Sequence, residues 1–407
     1  MKILLINNSH YSKGGADNVY FNTANLLSQN GHEVFFFSVN DPNNRPCDNS
    51  EYFIKKNDYR NSSLIEKIRS IPSFIYNREA NVKLLNLIDK VKPDIAHIHL
   101  FLGGLTTSIL IALKKRNIPI VHSVHDYRLI CPAYTFLDRN NQICERCKDK
   151  LFLKCAIRRC SLENNIIHST ILSFDAYFRE YIYNPLNYID RFVFTSQFSK
   201  KKHIEFNSFF AKKAEVLYNF NNNQIIPSKV RGNYFLFFGR HSREKGLTLL
   251  IETAHKINIP LKVCGAGPLT DKLKSLNYRN IEFLGHINND ELKNVIRNSS
   301  FIIVPSECYE NNPLTIIEAF TFGKPVIGSK IGGITELIGD LNGLLFESKN
   351  ADSLNEVIIK ALSITDSEYL KMSQNVCEFA HENFSKEVHY KKLLEIYKSV
   401  IHDKKNN

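Results

Sequence analysis

No apolar run in this 407-residue chain approaches the ~20 residues that a bilayer-spanning helix requires; FFFSV, FIIVP and ILIAL are typical of what it offers. The N-terminal MKILLIN passes into a polar stretch at Asn7, too soon for the apolar core of a signal peptide. These absences point to a cytoplasmic protein, and in that compartment nine cysteines read as thiols or metal ligands, not disulfides. There is no low-complexity tract. The basic clusters lack the interleaved aromatics of a base-stacking platform, so nucleic acid is not an expected partner. No Asp-x-Asp pair stands at a strand end to hold a divalent ion.

What the chain does have is length for two domains, 43% hydrophobic residues and an excess of 53 Lys+Arg over 41 Asp+Glu. The excess is concentrated toward the front: 26 basic against 18 acidic residues through position 200, and 27 against 23 beyond it. Lys114-Lys115-Arg116, the Arg146 to Arg159 segment and Lys200-Lys201-Lys202 suit anionic headgroups or a phosphate-bearing acceptor, or simply a solvated surface.

Short β-branched or aromatic runs alternate with helical stretches. KILLIN, EVFFFSV, DIAHIH, PIVHSV and RFVFTS form one series, with helices expected near 16–30, 62–90 and 104–116. YFLFFGR, LKVCG, IEFLG, FIIVPS and PVIGS form a second, with helices near 246–257, 268–276, 289–298 and 313–322. Each series predicts a parallel sheet covered on both faces. The expected organisation is a first domain over 1–218 carrying a Cys-rich insertion at 131–160, a linker at 219–233, a second domain over 234–384, and a terminal helix over 385–407 whose apolar face is Val388, Leu393, Leu394 and Ile396.

Open parallel sheets bind ligands beyond the carboxyl ends of their strands, and the suggestive residues gather there. In PSECYENNPLTIIEAF two carboxylates, Glu310 and Glu318, flank a helix start at Asn312-Pro313. Proline at the first helical position leaves the N–H groups of Leu314 and Thr315 free to seat a phosphate, and the acids then suit hydroxyls on the same ligand. Arg240 and Lys245, five apart after YFLFFG, supply a fork and a mobile point charge for a diphosphate. Gly14 and Gly15 allow backbone to approach a phosphate just before a helix, and His125 ends PIVHSV.

With those residues in view, the chain resembles a family 4 glycosyltransferase over nearly its whole length. GGAD, SVHDYRLICP, FFGRHSREKGL, VCGAGP, IEFLGHIN, ECYENNPLTIIEA, GKPVIGSKIGGITELI and NGLLF carry the likeness. The resemblance implies the GT-B fold, an α/β architecture of two Rossmann-like, doubly wound parallel-sheet domains facing across a cleft, with the terminal helix returning to the first. It implies transfer of a sugar from a UDP- or GDP-type donor to a hydroxyl of a saccharide or lipid-linked acceptor, with retention of configuration and without metal or other cofactor, in surface polysaccharide or lipopolysaccharide synthesis.

Residue by residue, the resemblance assigns Gly14 and Gly15 to the donor diphosphate or sugar. Arg240 and Lys245 take the departing diphosphate, Glu310 the hydroxyls of the transferred sugar, Leu314 and Thr315 a phosphate, and Glu318 the ribose. His125 would hydrogen-bond the donor sugar, while Gly265 and Gly267 of GAGP, with Ile287, would frame the base. The enzyme would work at the inner face of the membrane. A nucleotide-sugar epimerase or hydrolase on the same fold, or an inactive nucleotide-sugar-binding protein, are the other classes these motifs admit. Cys144, Cys147, Cys155 and Cys160, spaced C-x2-C-x7-C-x4-C with Cys131 upstream, admit either a structural zinc loop or free thiols, in an insertion expected to shape the acceptor site.

Overall fold

The computed structural model describes residues 1–56, 72–161, 165–227 and 230–406. The chain divides into two compact units. The first comprises Met1–Thr195, Ser199–Leu217 and Tyr390–Asn407, and the second Ser196–Phe198 and Tyr218–His389.

The first unit is built on a six-stranded sheet of order β2-β1-β3-β4-β5-β6. Its strands are β1 (Lys2–Ser9), β2 (Glu33–Val39), β3 (Ile95–Ile98), β4 (Ile120–Val124), β5 (Arg191–Phe194) and β6 (Ala214–Val216). Every pairing is parallel. Helices Gly15–Gln29, Arg78–Val91, Ser108–Lys115, Ile166–Tyr181 and Gln197–Phe206 lie between the strands. Part of the helix expected over 62–90 falls outside the described residues; its described remainder begins at Arg78, where the Asn77 side chain caps the Ala80 N–H.

The helix Lys386–Asn406 adds the last piece of this unit's core. Leu393, Tyr397 and Val400 are buried with Ile3, Leu5, Val121 and Val193. The burying face differs from the expected one: Leu394 and Ile396 only flank it and Val388 is partly buried, because a rotation of ~100° per residue aligns 393, 397 and 400. The Tyr397 hydroxyl is tied to His97 Nδ1 at 2.6 Å, and His97 Nε2 to Ser123 at 2.8 Å, so the polar atoms carried inside are satisfied.

The second unit has the order β12-β11-β10-β7-β8-β9, all parallel. Its strands are β7 (Phe235–Phe238), β8 (Leu261–Cys264), β9 (Ile281–Gly285), β10 (Ile302–Val304), β11 (Val326–Ser329) and β12 (Gly343–Phe346). Alternation along β7 sends Phe235 and Phe237 into one apolar cluster with Leu247, Leu250 and Ile303, and Leu236 and Phe238 into another with Ile316, Ile317 and Phe320. Both faces of the sheet are thus covered, which is why its central strands β7 and β10 read as unbroken apolar runs. The helix expected over 313–322 spans Leu314–Thr321, with Pro313 one step outside it as the N-cap.

Candidate active site

In the second unit the charged residues converge at the carboxyl ends of β7 and β10. Lys245 Nζ lies 2.6 Å from Glu310 Oε1, and the Ser306 hydroxyl donates to the same oxygen at 2.7 Å. Burial alone would raise the Glu310 pKa, but the Lys245 ammonium and these hydrogen bonds hold it below the usual carboxylate range. Burial likewise opposes the Lys245 charge, and Glu310 overcomes it, so the lysine pKa is raised. Both partners therefore carry full charge at neutral pH. Arg240 stands exposed two residues beyond β7.

The loop bearing Glu310 is held by backbone packing that side chains would prevent. Gly246, at φ +66°, lies where a Cβ would meet the Pro305 carbonyl oxygen at 1.8 Å. On the other side, the Gly333 N–H donates to the Glu310 carbonyl at 2.7 Å, and a Cβ on Gly333 would meet the Asn311 carbonyl at 1.8 Å. Asn312 Oδ1 accepts the Asn219 N–H at 2.7 Å, fixing the chain just before the helix.

That helix starts with no side-chain cap from Pro313, so Leu314 and Thr315 open its positive end. Glu318 sits one turn further along. Burial pushes its carboxyl up to about 7, and no hydrogen bond or ion pair among the described residues offsets the effect. The Gly265–Gly267 loop folds against His241: the His241 N–H donates to the Ala266 carbonyl at 3.1 Å, and the Gly267 N–H to Thr270 Oγ1 at 2.8 Å. Ile287 packs against the core on the same side of the sheet as Leu314.

In the first unit, an open pocket of about 610 Å³ is lined by Lys13, Asp17, His99, His125, Asp126 and Arg128, among others. His125 Nε2 pairs with His99 Nδ1 at 2.9 Å, and the two rings stack at 5.0 Å. Burial, aided by His122, lowers the His125 pKa to about 3, so this imidazole stays neutral at physiological pH. Asp126 is raised by burial although the Arg128 N–H donates to its carboxylate at 2.9 Å. Arg128 Nη1 donates to the Leu102 carbonyl at 3.0 Å, while Nε and Nη2 are buried without hydrogen bonds, Nη2 lying 3.9 Å from Asp175. Gly14 is extended, with φ −167°, and a Cβ there would meet nothing within 4 Å; Gly15 begins the following helix.

Sequence reasoning passed over Ser306, Arg128 and the turn at 102–105. A signal existed for the turn: the Gly103-Gly104 pair after β3, where Gly103 has φ +92° and a Cβ would meet Arg128 Nη1 at 2.6 Å.

The cysteines of the insertion form a thiol cluster. Cys144 and Cys160 share a hydrogen bond, as do Cys160 and Cys155, and the Cys144 pKa is raised first by that bond and then by burial. Burial raises Cys131 to about 11 and Cys147 to about 12. All nine cysteines are free of disulfides, and among the described residues no group of three or more His, Cys, Asp or Glu side chains is arranged to hold a metal ion.

Comparison with known proteins follows the division into units. Residues 13–222 match the family described as Glycosyltransferase Family 4, and residues 219–378 match Glycosyl transferases group 1. An uncharacterized glycosyltransferase of Methanocaldococcus jannaschii is 33% identical over 37% of this chain, a match that spans 44% of that relative's length. An uncharacterized protein of the cps region of Klebsiella pneumoniae is 26% identical over 85% of this chain and 90% of its own. The UDP-Gal:alpha-D-GlcNAc-diphosphoundecaprenol alpha-1,3-galactosyltransferase of Escherichia coli is 25% identical over 78% of this chain and 76% of its own. Among solved structures, Anabaena HepE in complex with UDP superposes with a TM-score of 0.67 at 17% identity, over 98% of this chain and 100% of that one. At that identity the likeness speaks for the fold: a two-domain, Rossmann-like GT-B architecture.

Proposed function

Because the chain belongs to glycosyltransferase family 4, we propose that it moves a sugar from a UDP- or GDP-type donor to a hydroxyl of a saccharide or lipid-linked acceptor, with retention of configuration, in surface polysaccharide synthesis. One observation carries the reading: Lys245, in the turn after β7, forms a charged pair with Glu310 in the loop that leads into the uncapped helix Leu314–Thr321.

In this reading Leu314 and Thr315 N–H groups and Arg240 bind the diphosphate, and Lys245 meets the charge that develops as the nucleoside diphosphate leaves. Glu310 accepts from hydroxyls of the transferred sugar and Glu318 from the ribose. Gly265, Gly267 and Ile287 border the base; Gly14 and Gly15 approach the donor, and neutral His125 hydrogen-bonds its sugar. No protein nucleophile is invoked. The acceptor hydroxyl attacks on the face the diphosphate leaves, the donor phosphate takes its proton, and these cations and amides supply the stabilisation for which other enzymes recruit a divalent ion.

The UDP-sugar and diphosphoundecaprenol in the name of the Escherichia coli relative, the cps region of the Klebsiella protein and the UDP bound by HepE all favour this donor and acceptor chemistry. No helix among the described residues is long and apolar enough to cross a membrane. We place the protein in the cytoplasm, in peripheral contact with the anionic inner face of the membrane. Thermal-shift titration with UDP, GDP and ADP, followed by nucleotide release from the preferred sugar donor with lipid-linked acceptors, tests the proposal. Neither a raised melting temperature nor acceptor-dependent release would leave it standing on family membership alone.

A further inference from the structure

A solvent-facing helix surface normally carries charge, and the helix Ile166–Tyr181 departs from that rule. Ile167, Phe174 and Tyr181 recur every seven residues, within ~40° of one another around the axis, and all three are exposed. Tyr181 is 68% exposed. The opposite side of the helix is already spent on the core, through Ile171, Leu172 and Ala176. Beside it packs the short helix Leu153–Ile157: the Tyr177 hydroxyl accepts the Leu153 N–H at 3.4 Å, Ser173 Oγ donates to the Phe152 carbonyl at 2.9 Å, and Lys150 pairs with Glu180. This neighbour too turns apolar residues outward, Leu153 and Ile157, the latter 75% exposed. Leu151 and Ile182 extend the patch at its ends.

The rim of this surface is cationic. From Arg139 to Arg159 the chain holds seven Lys and Arg against two acids. Arg139, Arg146, Lys154 and Arg158 line an open groove of about 560 Å³ together with Ile157 and with Asp138, which pairs with Arg158 at 3.2 Å, so the exposed Ile157 stands at the edge of a hollow in which cations outnumber the one acid. Apolar side chains that can enter the headgroup boundary, bordered by cations that meet lipid phosphates, are the two components of interfacial binding. A partner protein of matched apolar surface would not call for the groove.

We infer that the face formed by Leu153–Ile157 and Ile166–Tyr181 docks the protein on an anionic phospholipid bilayer. The inference rests on the lipid-linked acceptor proposed above, which such docking would bring to the first unit, and its test is independent of turnover.

Sedimentation with vesicles of phosphatidylcholine alone, or of phosphatidylcholine with phosphatidylglycerol, measures it. The wild type is expected to sediment with the phosphatidylglycerol vesicles and to be released by salt. Phe174→Glu combined with Tyr181→Glu, and separately Ile157→Glu, should weaken vesicle affinity by about tenfold or more, since each inserts a charge where an apolar group entered the boundary. Arg146→Gln should weaken it less, by about fivefold, the size of one lost headgroup attraction with a lysine or arginine. Ile359→Glu with Leu362→Glu, exposed positions in the second unit, should leave it unchanged. Wild type remaining in the supernatant, equal binding to both vesicle types, or face variants that sediment as wild type would overturn the inference. So would a dimer in solution that the face variants dissociate while no vesicle binding is seen. Nucleotide thermal shifts on the same preparations separate the failures: a retained shift without vesicle binding sinks only the docking, and vesicle binding without any shift sinks only the transferase reading.

Discussion

Lys245 and Glu310, 65 residues apart in the chain, form an ion pair of 2.6 Å that Ser306 completes from the same loop. Each member offsets the desolvation of the other in a half-buried place. Lys245→Ala would remove the cation and, with only the Ser306 hydrogen bond left against burial, raise the Glu310 pKa. We expect turnover to fall by about 10²–10³, as when one donor to a developing charge is lost, with a smaller change in nucleotide affinity. Glu310→Ala should cost a comparable factor, and the double variant little more than either alone, because the two act as a unit. Steady-state kinetics on the four proteins decides; additive losses would show the pair to be independent.

Glu318 provides a pH test. Its folded carboxyl titrates at about 7 against an unfolded value of 4.5, because burial disfavours the charged form. Between those values the folded state holds a proton that the unfolded state releases, so this group's contribution to stability is full below about 4.5 and is lost as pH rises through about 7. Ribose hydroxyls need the ionised form as acceptor, so nucleotide affinity should rise between about pH 6 and 8. Glu318→Gln should flatten both trends, in melting temperature and in the titration of UDP or GDP. A slope that survives the substitution belongs to another group.

Gly246→Ala should lower stability by more than the ~1–3 kcal/mol of left-handed strain, since its Cβ would meet the Pro305 carbonyl at 1.8 Å. Urea denaturation measures the loss, and nucleotide binding should weaken with it because the Glu310 loop must shift.

Tyr397→Phe removes one buried hydrogen bond to His97 and should cost about 1 kcal/mol or somewhat more, the unpaired His97 nitrogen adding to it. Leu393→Ala opens a cavity in the same cluster and should cost about 2–5 kcal/mol. Both are read from denaturation midpoints.

Ten of the twelve strands among the described residues were legible as short β-branched or aromatic runs, clearest where both faces are buried and the run is continuously apolar, as in KILLIN and FIIVPS. The two that were not identified as strands lie at sheet edges: Ala214–Val216 is only three residues long, and Gly343–Phe346 was noticed only as a motif. At the candidate site, Lys245 and Glu310 were each singled out by local spacing, but their contact was not, since no periodicity links residues so distant. Arg128 went unnoticed for the same reason: its setting is made by Gly103, Leu102 and Asp175, none of them a sequence neighbour. The thiols could be counted in the sequence, while the hydrogen bonds that link Cys144 to Cys160 and Cys160 to Cys155 could not be read there.

The helix that buries Leu393, Tyr397 and Val400 beside Ile3 and Leu5 also imposes an order on biosynthesis. During translation the first six strands leave the ribosome long before the residues that seal their apolar side, and Tyr218–His389 of the second unit is made in between. The first unit therefore cannot complete its core until a segment nearly 400 residues after its first strand has been made. The second unit, whose parts from Tyr218 to His389 emerge consecutively, has no such delay and can finish folding first.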